Sequence, residues 1–253
     1  MAQIISFANQ KGGVGKSTSA INVAAGLALA GKKTLLVDFD PQGNATSGLG
    51  VNKKKLSLTV YDLVIGRGEA RNAVTVTNFN NLYLLPANIS LAGAEFELVD
   101  AENREFCLKK ALDTIRDNFD YMIIDCPPSL GLLTLNALTA SDGIIVPMLC
   151  EYFSLEGLTQ LLITVRAIKK RYNERLRLIG ILITMFNGRL TLSQDVLAEL
   201  KKYYPDKLFR TMIPRSVKIA EAPGFGEPIQ YYDKRSKATD AYNDVAAEII
   251  ERA

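Results

Sequence analysis

Lys11-Gly12-Gly13-Val14-Gly15-Lys16-Ser17-Thr18 constrains this chain more than any other stretch. An apolar run, Ile4–Ala8, precedes it. A helix-forming stretch, Ser17–Ala30, follows, with Ile21, Ala24, Ala25 and Ala28 on one small-residue face and Gly31 placed to stop it. Thr34–Val37 then reads as a second strand that ends at Asp38 and Asp40. Strand, Gly-rich loop, helix and strand at this spacing make a βαβ unit, which requires a parallel sheet. Glycines in such a loop let backbone N–H groups converge on phosphate oxygens. The N-terminus of the following helix adds a favourable potential. On this pattern Lys16 reaches the β and γ phosphates of a nucleotide and Ser17 offers its hydroxyl to Mg²⁺. The strict phosphate-loop pattern wants glycine at position 10, where Gln10 stands, and the loop carries an additional lysine, Lys11. A dinucleotide site fits less well: Gly13 and Gly15 begin Gly-x-Gly-x-x-Gly, but position 18 is threonine.

The alternation continues along the chain. Leu82–Leu85, Tyr121–Ile124, Gly143–Val146, Leu178–Thr184 and a short Leu208–Thr211 read as further strands, which predicts seven. Helices are predicted over Phe106–Phe119, Leu155–Tyr172, Leu192–Tyr204 and Thr239–Arg252, the last with Tyr242, Val245, Ala246 and Ile249 on one face. Several strands are apolar throughout, as strands covered on both sides are. The expected architecture is α/β, a mostly parallel central sheet between layers of helix. No Gly/Pro linker or internal repeat interrupts it, so residues 1–253 are expected to form a single domain. Residues 41–80 and 185–238 are the least regular and are where loops and switches are expected.

Two strands end in carboxylates. Asp125 follows Tyr121-Met122-Ile123-Ile124, where an acid can hold Mg²⁺ directly or through water. Asp38 and Asp40 follow Leu35-Leu36-Val37, and at most one of them need point along the strand axis into the crevice. In a parallel sheet these ends lie on the same edge as the phosphate loop. Asp40 is the candidate for orienting the attacking water and joins Ser17 and Asp125 as a candidate metal residue; the alternative is an Asx turn before Pro41.

Composition narrows the chemistry. The chain has no histidine, which excludes imidazole catalysis and most zinc sites. Its three cysteines, Cys107, Cys126 and Cys150, show no Cys-x-x-Cys spacing. No run of eighteen apolar residues is present, and Met1 leads into apolar residues without a basic segment, so a cytoplasmic protein is expected. Residues 1–165 hold 13 Lys/Arg against 16 Asp/Glu, whereas 166–253 hold 17 against 11. The basic C-terminal third permits contact with a polyanion.

The loop Lys11–Thr18 resembles the deviant Walker A motif of the ParA/MinD family of P-loop ATPases. Asp38-Phe39-Asp40-Pro41-Gln42-Gly43-Asn44 resembles that family's second acidic motif, and Asp125-Cys126-Pro127-Pro128-Ser129-Leu130-Gly131 its Walker B segment. Ile213-Pro214-Arg215, Glu221-Ala222-Pro223 and Gly226-Glu227-Pro228-Ile229 resemble the chromosome-partitioning branch. The resemblance implies a P-loop NTPase three-layer fold and a homodimer that closes face to face on ATP and Mg²⁺. It implies that Lys11 crosses to the partner's nucleotide, that Lys16 and Ser17 act in cis, and that Gly12, Gly13, Val14, Gly15 and Thr18 complete the nucleotide loop. Gly13 then lies where the two backbones approach, Asp40 serves hydrolysis and Asp125 is the Walker B acid. Hydrolysis removes the bridging charge and releases the dimer.

The family dimer binds DNA without sequence preference and works with a ParB-type centromere-binding protein, so a nucleoid-associated location is implied. Arg189 and Arg215 resemble positions implicated in DNA contact, and Lys218 is placed to help. Pro214 and Arg215, with Asn187, are alternatively candidates for the nucleotide pocket. Two other readings compete: a MinD-like membrane- or protein-positioning ATPase, and a nucleotide-switched scaffold with negligible turnover. Thr239–Ala253 has one basic residue, Arg252, among Asp240, Asp244, Glu248 and Glu251, so no stable membrane association is expected. The first strand begins at Ile4, so no operator-reading helix-turn-helix domain is expected ahead of it.

Overall fold

The computed structural model describes residues 1–252. Its sheet has the strands β1 (Gln3–Phe7), β2 (Thr34–Asp38), β3 (Thr75–Val76), β4 (Leu82–Leu85), β5 (Tyr121–Asp125), β6 (Gly143–Met148) and β7 (Arg177–Ile183). They lie in the order β3-β4-β2-β5-β1-β6-β7, all parallel except the edge strand β3. The longer helices are α1 (Lys16–Leu29), α2 (Leu132–Ala140), α3 (Ser154–Arg171), α4 (Thr191–Tyr203) and α5 (Lys237–Arg252). The chain runs from β1 through α1 to β2 on one side, and from β5 through α2 to β6 on the other. The order therefore reverses beside β1, which opens a crevice at the strands' carboxyl ends.

Side chains alternate along a strand, so the sheet separates two cores. Ile4, Leu35, Val37, Met122 and Ile124 pack on one face with α2, α3 and α4. Ile5, Phe7, Leu36 and Ile123 pack on the other with α1 and α5. Helix α1 is buried nearly all round because it lies between the sheet and α5. A Cβ on Gly26 would sit 2.9 Å from the Ala246 methyl and 3.3 Å from the Tyr242 carbonyl oxygen, so glycine permits this close helix crossing. Tyr242, Val245, Ala246 and Ile249 of α5 are buried against it, as their spacing predicts. The larger of these contribute about 1.5–3 kcal/mol each by burial.

Several elements differ from expectation. Leu208–Thr211 forms no strand; only an isolated bridge joins Leu208 to Ile181. The seventh strand is instead Thr75–Val76, antiparallel to β4. Phe106–Phe119 is not one helix but a short helix, Cys107–Asp113, between 3₁₀ turns at Arg104–Phe106 and Arg116–Asn118. The break follows from competing hydrogen bonds: Thr114 Oγ1 donates to the Ala111 carbonyl, and Arg116 donates to the Ala2 carbonyl and to Asp142. Helix α2 has no amphipathic stripe to announce it, because both of its sides are covered. The irregular 41–80 stretch includes three short helices, Asn44–Gly48, Val60–Val64 and Ala70–Ala73, the second held by a capping box between Thr59 and Asp62.

Candidate functional site

Register and alternation build the site. Asp38 pairs with Asp125 across β2 and β5, and Phe7 pairs with Asp125 across β1 and β5. Two residues beyond Leu36 and Ile123, Asp38 and Asp125 fall on the α1 face, beneath the loop that leaves β1. The strand ends thus set two acids side by side beneath the loop, Asp125 against Ser17 at the start of α1 and Asp38 against Thr46.

The loop is pinned at several points. Asn9 Nδ2 donates to the Pro147 carbonyl, and Asn9 Oδ1 accepts from the Lys11 N–H. Thr184 Oγ1 donates to the Val14 carbonyl at 2.8 Å. Gly13 and Gly15 have φ of 73° and 79°, a left-handed conformation that excludes most side chains. At Gly12 and Gly13 an added Cβ would meet nothing of this chain within 4 Å, so both backbones are open to approach from outside.

Gly12, Gly13, Gly15, Lys16, Ser17 and Thr18 line a chamber of about 590 Å³ together with Asp40, Gln42, Pro128 and Gly224. Lys16 is buried, and its Nζ donates to the Lys11 carbonyl at 3.2 Å. Burial pulls its pKa down, against the attraction of Asp125. Asp125 is fully buried; neither carboxylate oxygen makes a well-formed hydrogen bond, and the Ser17 hydroxyl is the polar neighbour that favours its charge. Burial and then the Asp38 carboxylate push it well above the usual carboxylate range. A buried carboxylate without a well-formed hydrogen bond, beside the Ser17 hydroxyl, is the donor set a divalent cation requires, so these residues fit Mg²⁺.

Asp38 is also buried, but satisfied. Its Oδ2 accepts from the Thr46 N–H at 2.7 Å and the Thr46 hydroxyl at 2.6 Å, and its Oδ1 accepts from the Asp40 N–H. Burial, partly offset by the Thr46 bonds, pushes it up to about 6. Thr46 Oγ1 in turn accepts from the Ala87 N–H at 3.0 Å, tying β2 to the end of β4. Asp38 therefore braces the fold, and Asp40 faces the chamber. Asp40 also makes the Asx turn, accepting from the Gln42 N–H at 2.9 Å with Oδ1. The Asx turn is therefore present, and the same side chain lines the chamber.

A second chamber of about 340 Å³ adjoins the first through Gly15, Thr18 and Met185, and is walled by Ile213, Pro214, Arg215 and Val217 with Tyr242. Pro214 and Arg215 thus line this second chamber. Asn187 lines neither chamber; its Oδ1 accepts from the Arg189 N–H. Lys11 does not line the phosphate chamber either, and its ammonium pairs with Glu151 at 2.6 Å. Val14 is buried beneath the loop and contributes packing instead of lining. Arg189 and Arg215 are exposed, while Lys218 is paired with Glu221 at 3.0 Å and sits over the Tyr232 ring. A larger apolar groove, about 680 Å³, lies between Leu63–Arg71 and Cys107–Ile115 and has no phosphate-binding loop.

Sequence reasoning missed Thr46, Glu151, Thr184 and Met185. Met185 has φ of 49° and stands between the two chambers, directly after β7. The rule that ligands bind at the carboxyl ends of parallel strands points to Thr184 and Met185 once β7 is recognised.

The AAA domain family model matches residues 2–178. The chain is 51% identical over 249 residues to the sporulation initiation inhibitor protein Soj of Bacillus subtilis, covering 98% of each. It is 50% identical to the chromosome-partitioning ATPase Soj of Treponema pallidum, covering 100% of this chain and 98% of that one. Among solved structures, a cobyrinic acid a,c-diamide synthase from Mycobacterium smegmatis with bound ADP and magnesium superposes with a TM-score of 0.86 at 39% identity, covering 98% of this chain and 93% of that one. With the deviant phosphate loop, the in-register strand-end acids and these full-length likenesses, the chain belongs to the ParA/Soj family of P-loop ATPases.

Proposed function

We propose that this chain is a cytoplasmic, nucleoid-associated ATPase that partitions chromosome or plasmid DNA, dimerising on ATP, binding DNA without sequence preference and answering to a ParB-type partner. The observation that carries the nucleotide chemistry is Asp125, buried without a well-formed hydrogen bond beside the loop that holds Lys16 and Ser17. The partitioning role rests on likeness along the full length to a protein named for it.

Ser17 and Asp125 would hold Mg²⁺, Ser17 by its hydroxyl and Asp125 by its carboxylate. When bound there, the ion would supply positive charge that offsets the negative charge of the phosphate oxygens. Lys16, anchored on the Lys11 carbonyl, presents a second positive charge to the β and γ phosphates. Backbone N–H groups of the loop bind the same oxygens, since the left-handed glycines turn them inward. Asp40 has one oxygen committed to Gln42 and the other available to accept from, and so orient, the attacking water. The nucleoside would extend into the second chamber against Pro214 and Arg215. Lys11, paired outward with Glu151, is free to serve a partner's phosphate once that exposed pair opens, and the open backbones of Gly12 and Gly13 allow the partner close. Arg189 and Arg215 from two protomers would contact backbone phosphates of DNA, two weak patches acting as one.

The test is retention of purified protein on a random-sequence duplex with ATP, ADP or no nucleotide, at low and high salt. Retention that needs ATP, weakens with salt and ignores sequence is expected. Asp40→Ala should trap the ATP dimer on DNA, and Lys11→Ala should bind ATP without dimerising. A confirmed ATP dimer with no DNA retention overturns the partitioning role and points to a membrane- or protein-positioning relative. An Asp40→Ala protein that behaves as wild type points to a scaffold.

A further inference from the structure

Asp40 sits in a tight turn. Asp40-Pro41-Gln42-Gly43 closes with the Gly43 N–H donating to the Asp40 carbonyl at 2.8 Å, and the Gln42 N–H donates to Asp40 Oδ1 at 2.9 Å. The Asp40 N–H in turn donates to Asp38 Oδ1. How Asp40 presents its second carboxylate oxygen to the chamber therefore depends on how this turn is held.

Lys53 holds it from outside. Its Nζ donates to the Gln42 carbonyl at 2.8 Å. Its stem lies over Gly43: a Cβ there would come 2.7 Å from Lys53 Cδ and 2.9 Å from the Ala87 carbonyl oxygen. The turn is thus packed between the lysine stem and the segment that leaves β4. The peptide group between Gln42 and Gly43 is gripped at both ends, its carbonyl by Lys53 and its N–H by the Asp40 carbonyl. Hydrogen bonds in such a chain polarise one another, and rotating that peptide breaks both.

The backbone around Lys53 is itself fixed. Lys53–Lys55 forms a 3₁₀ turn in which Asn52 Oδ1 accepts from the Lys54 N–H at 3.0 Å and the Asn52 carbonyl accepts from the Lys55 N–H. The Val51 N–H donates to the Thr46 carbonyl, which ties this turn to the helix Asn44–Gly48 that follows the Asp40 turn. Lys53 is half-buried, whereas Lys54 and Lys55 are exposed. Of three consecutive lysines, only the first is directed at the switch turn, and its ammonium goes to a neutral carbonyl instead of a carboxylate. A run of lysines that served only to solvate the surface would show no such difference.

We propose that Lys53 is a positioning residue for ATP hydrolysis: by anchoring the Gln42 carbonyl it fixes the turn that aims Asp40 at the attacking water. The inference rests on the role given to Asp40 above and adds the group that holds it in place. Small displacements of a group that orients a nucleophile are costly to rate while leaving ground-state binding intact.

The experiment uses the full chain with Mg²⁺-ATP. Chemistry is read by single-turnover phosphate release, nucleotide affinity by titration with a fluorescent ATP analogue, dimerisation by sedimentation with ATP, and stability by thermal melting. Lys53→Met keeps the stem and removes the donor. It should slow phosphate release about three- to tenfold, with nucleotide affinity, the ATP dimer and the melting temperature unchanged. Lys53→Arg should restore most of the rate. In an Asp40→Asn background Lys53→Met should add no further loss, because it acts through Asp40. Phosphate release at the wild-type rate in Lys53→Met, with Asp40→Asn impaired, overturns this inference and leaves the Asp40 reading standing. Weakened nucleotide affinity at an unchanged rate makes Lys53 a nucleotide contact and overturns it. So does a fully additive loss in the double variant, or a loss that arrives with a lower melting temperature or a lost dimer and is not restored by arginine. Wild-type hydrolysis by Asp40→Asn overturns the Asp40 reading and this inference with it.

Discussion

Asp125→Asn is expected to move stability and function in opposite directions. The Asp125 carboxylate is fully buried, makes no well-formed hydrogen bond and lies beside Asp38 in the adjacent strand, with the Ser17 hydroxyl and Lys16 favouring its charge. Leaving such a group unsatisfied costs about 1–3 kcal/mol. An amide of the same shape removes the repulsion from Asp38 and the cost of burying charge, although its own N–H groups still need partners. The variant should therefore melt higher than wild type by about 2–12 °C, at roughly 2–4 °C per kcal/mol for a chain of this size. The same change removes an anionic ligand from the metal site. Wild type should gain about 2.7 kcal/mol at a hundredfold excess of Mg²⁺-ATP over its Kd, and the variant should gain almost nothing. Thermal melts of both proteins, with and without Mg²⁺-ATP, read the two effects together. A variant that melts below wild type without nucleotide, or that keeps the full increment with Mg²⁺-ATP, would refute the reasoning.

Three further changes test the frame around the site. Burial works against the Glu248 charge, but hydrogen bonds from the Arg210 and Thr211 N–H groups, with Arg252, outweigh it and hold the carboxyl below its usual range. Its charge therefore stabilises the fold at neutral pH and stops doing so as pH falls; urea midpoints of wild type should drop between about pH 5 and pH 3, and those of Glu248→Gln should start lower and fall less. Gly26→Val should cost about 1–3 kcal/mol by forcing α1 away from Ala246, measured as a lower urea midpoint and partly restored by adding Ala246→Gly. Thr46→Val should cost about 1–3 kcal/mol by leaving Asp38 and the Ala87 N–H short of partners, and should depress ATPase rate as well as denaturant midpoint.

The βαβ frame was legible because its signals are local. The Gly-rich loop, the short apolar strands and the stripe on α5 each declare themselves within a few residues. Asp125 and Asp40 were legible as strand-end acids, since sheet geometry dictates which edge they occupy. What escaped was decided by contacts distant in sequence. Helix α2 is covered on both sides, so it shows no period. The Phe106–Phe119 pattern looks helical, yet Arg116 is drawn off to Ala2 and Asp142. Leu208–Thr211 has strand-like residues, but only Leu208 bridges to β7 and Arg210 and Thr211 turn their N–H groups to Glu248. The pairing of Lys11 with Glu151 joins residues 140 apart, and no local pattern announces it.

The backing of α1 by the far end of the chain has a consequence for biosynthesis. Asn22, in the helix that begins at the phosphate loop, accepts from the Ile229 N–H across 207 residues, and Gln230 donates to the Asn22 carbonyl. Gly26 and Ala246 touch across a similar span. A ribosome delivers the loop first and these supports last. Until they arrive, α1 has an uncovered apolar flank and the loop has no rigid base, so the nascent chain is a poor nucleotide binder. The switch is therefore expected to form only once nearly all of this sequence has been translated, and a product interrupted before Ile229 should bind ATP poorly.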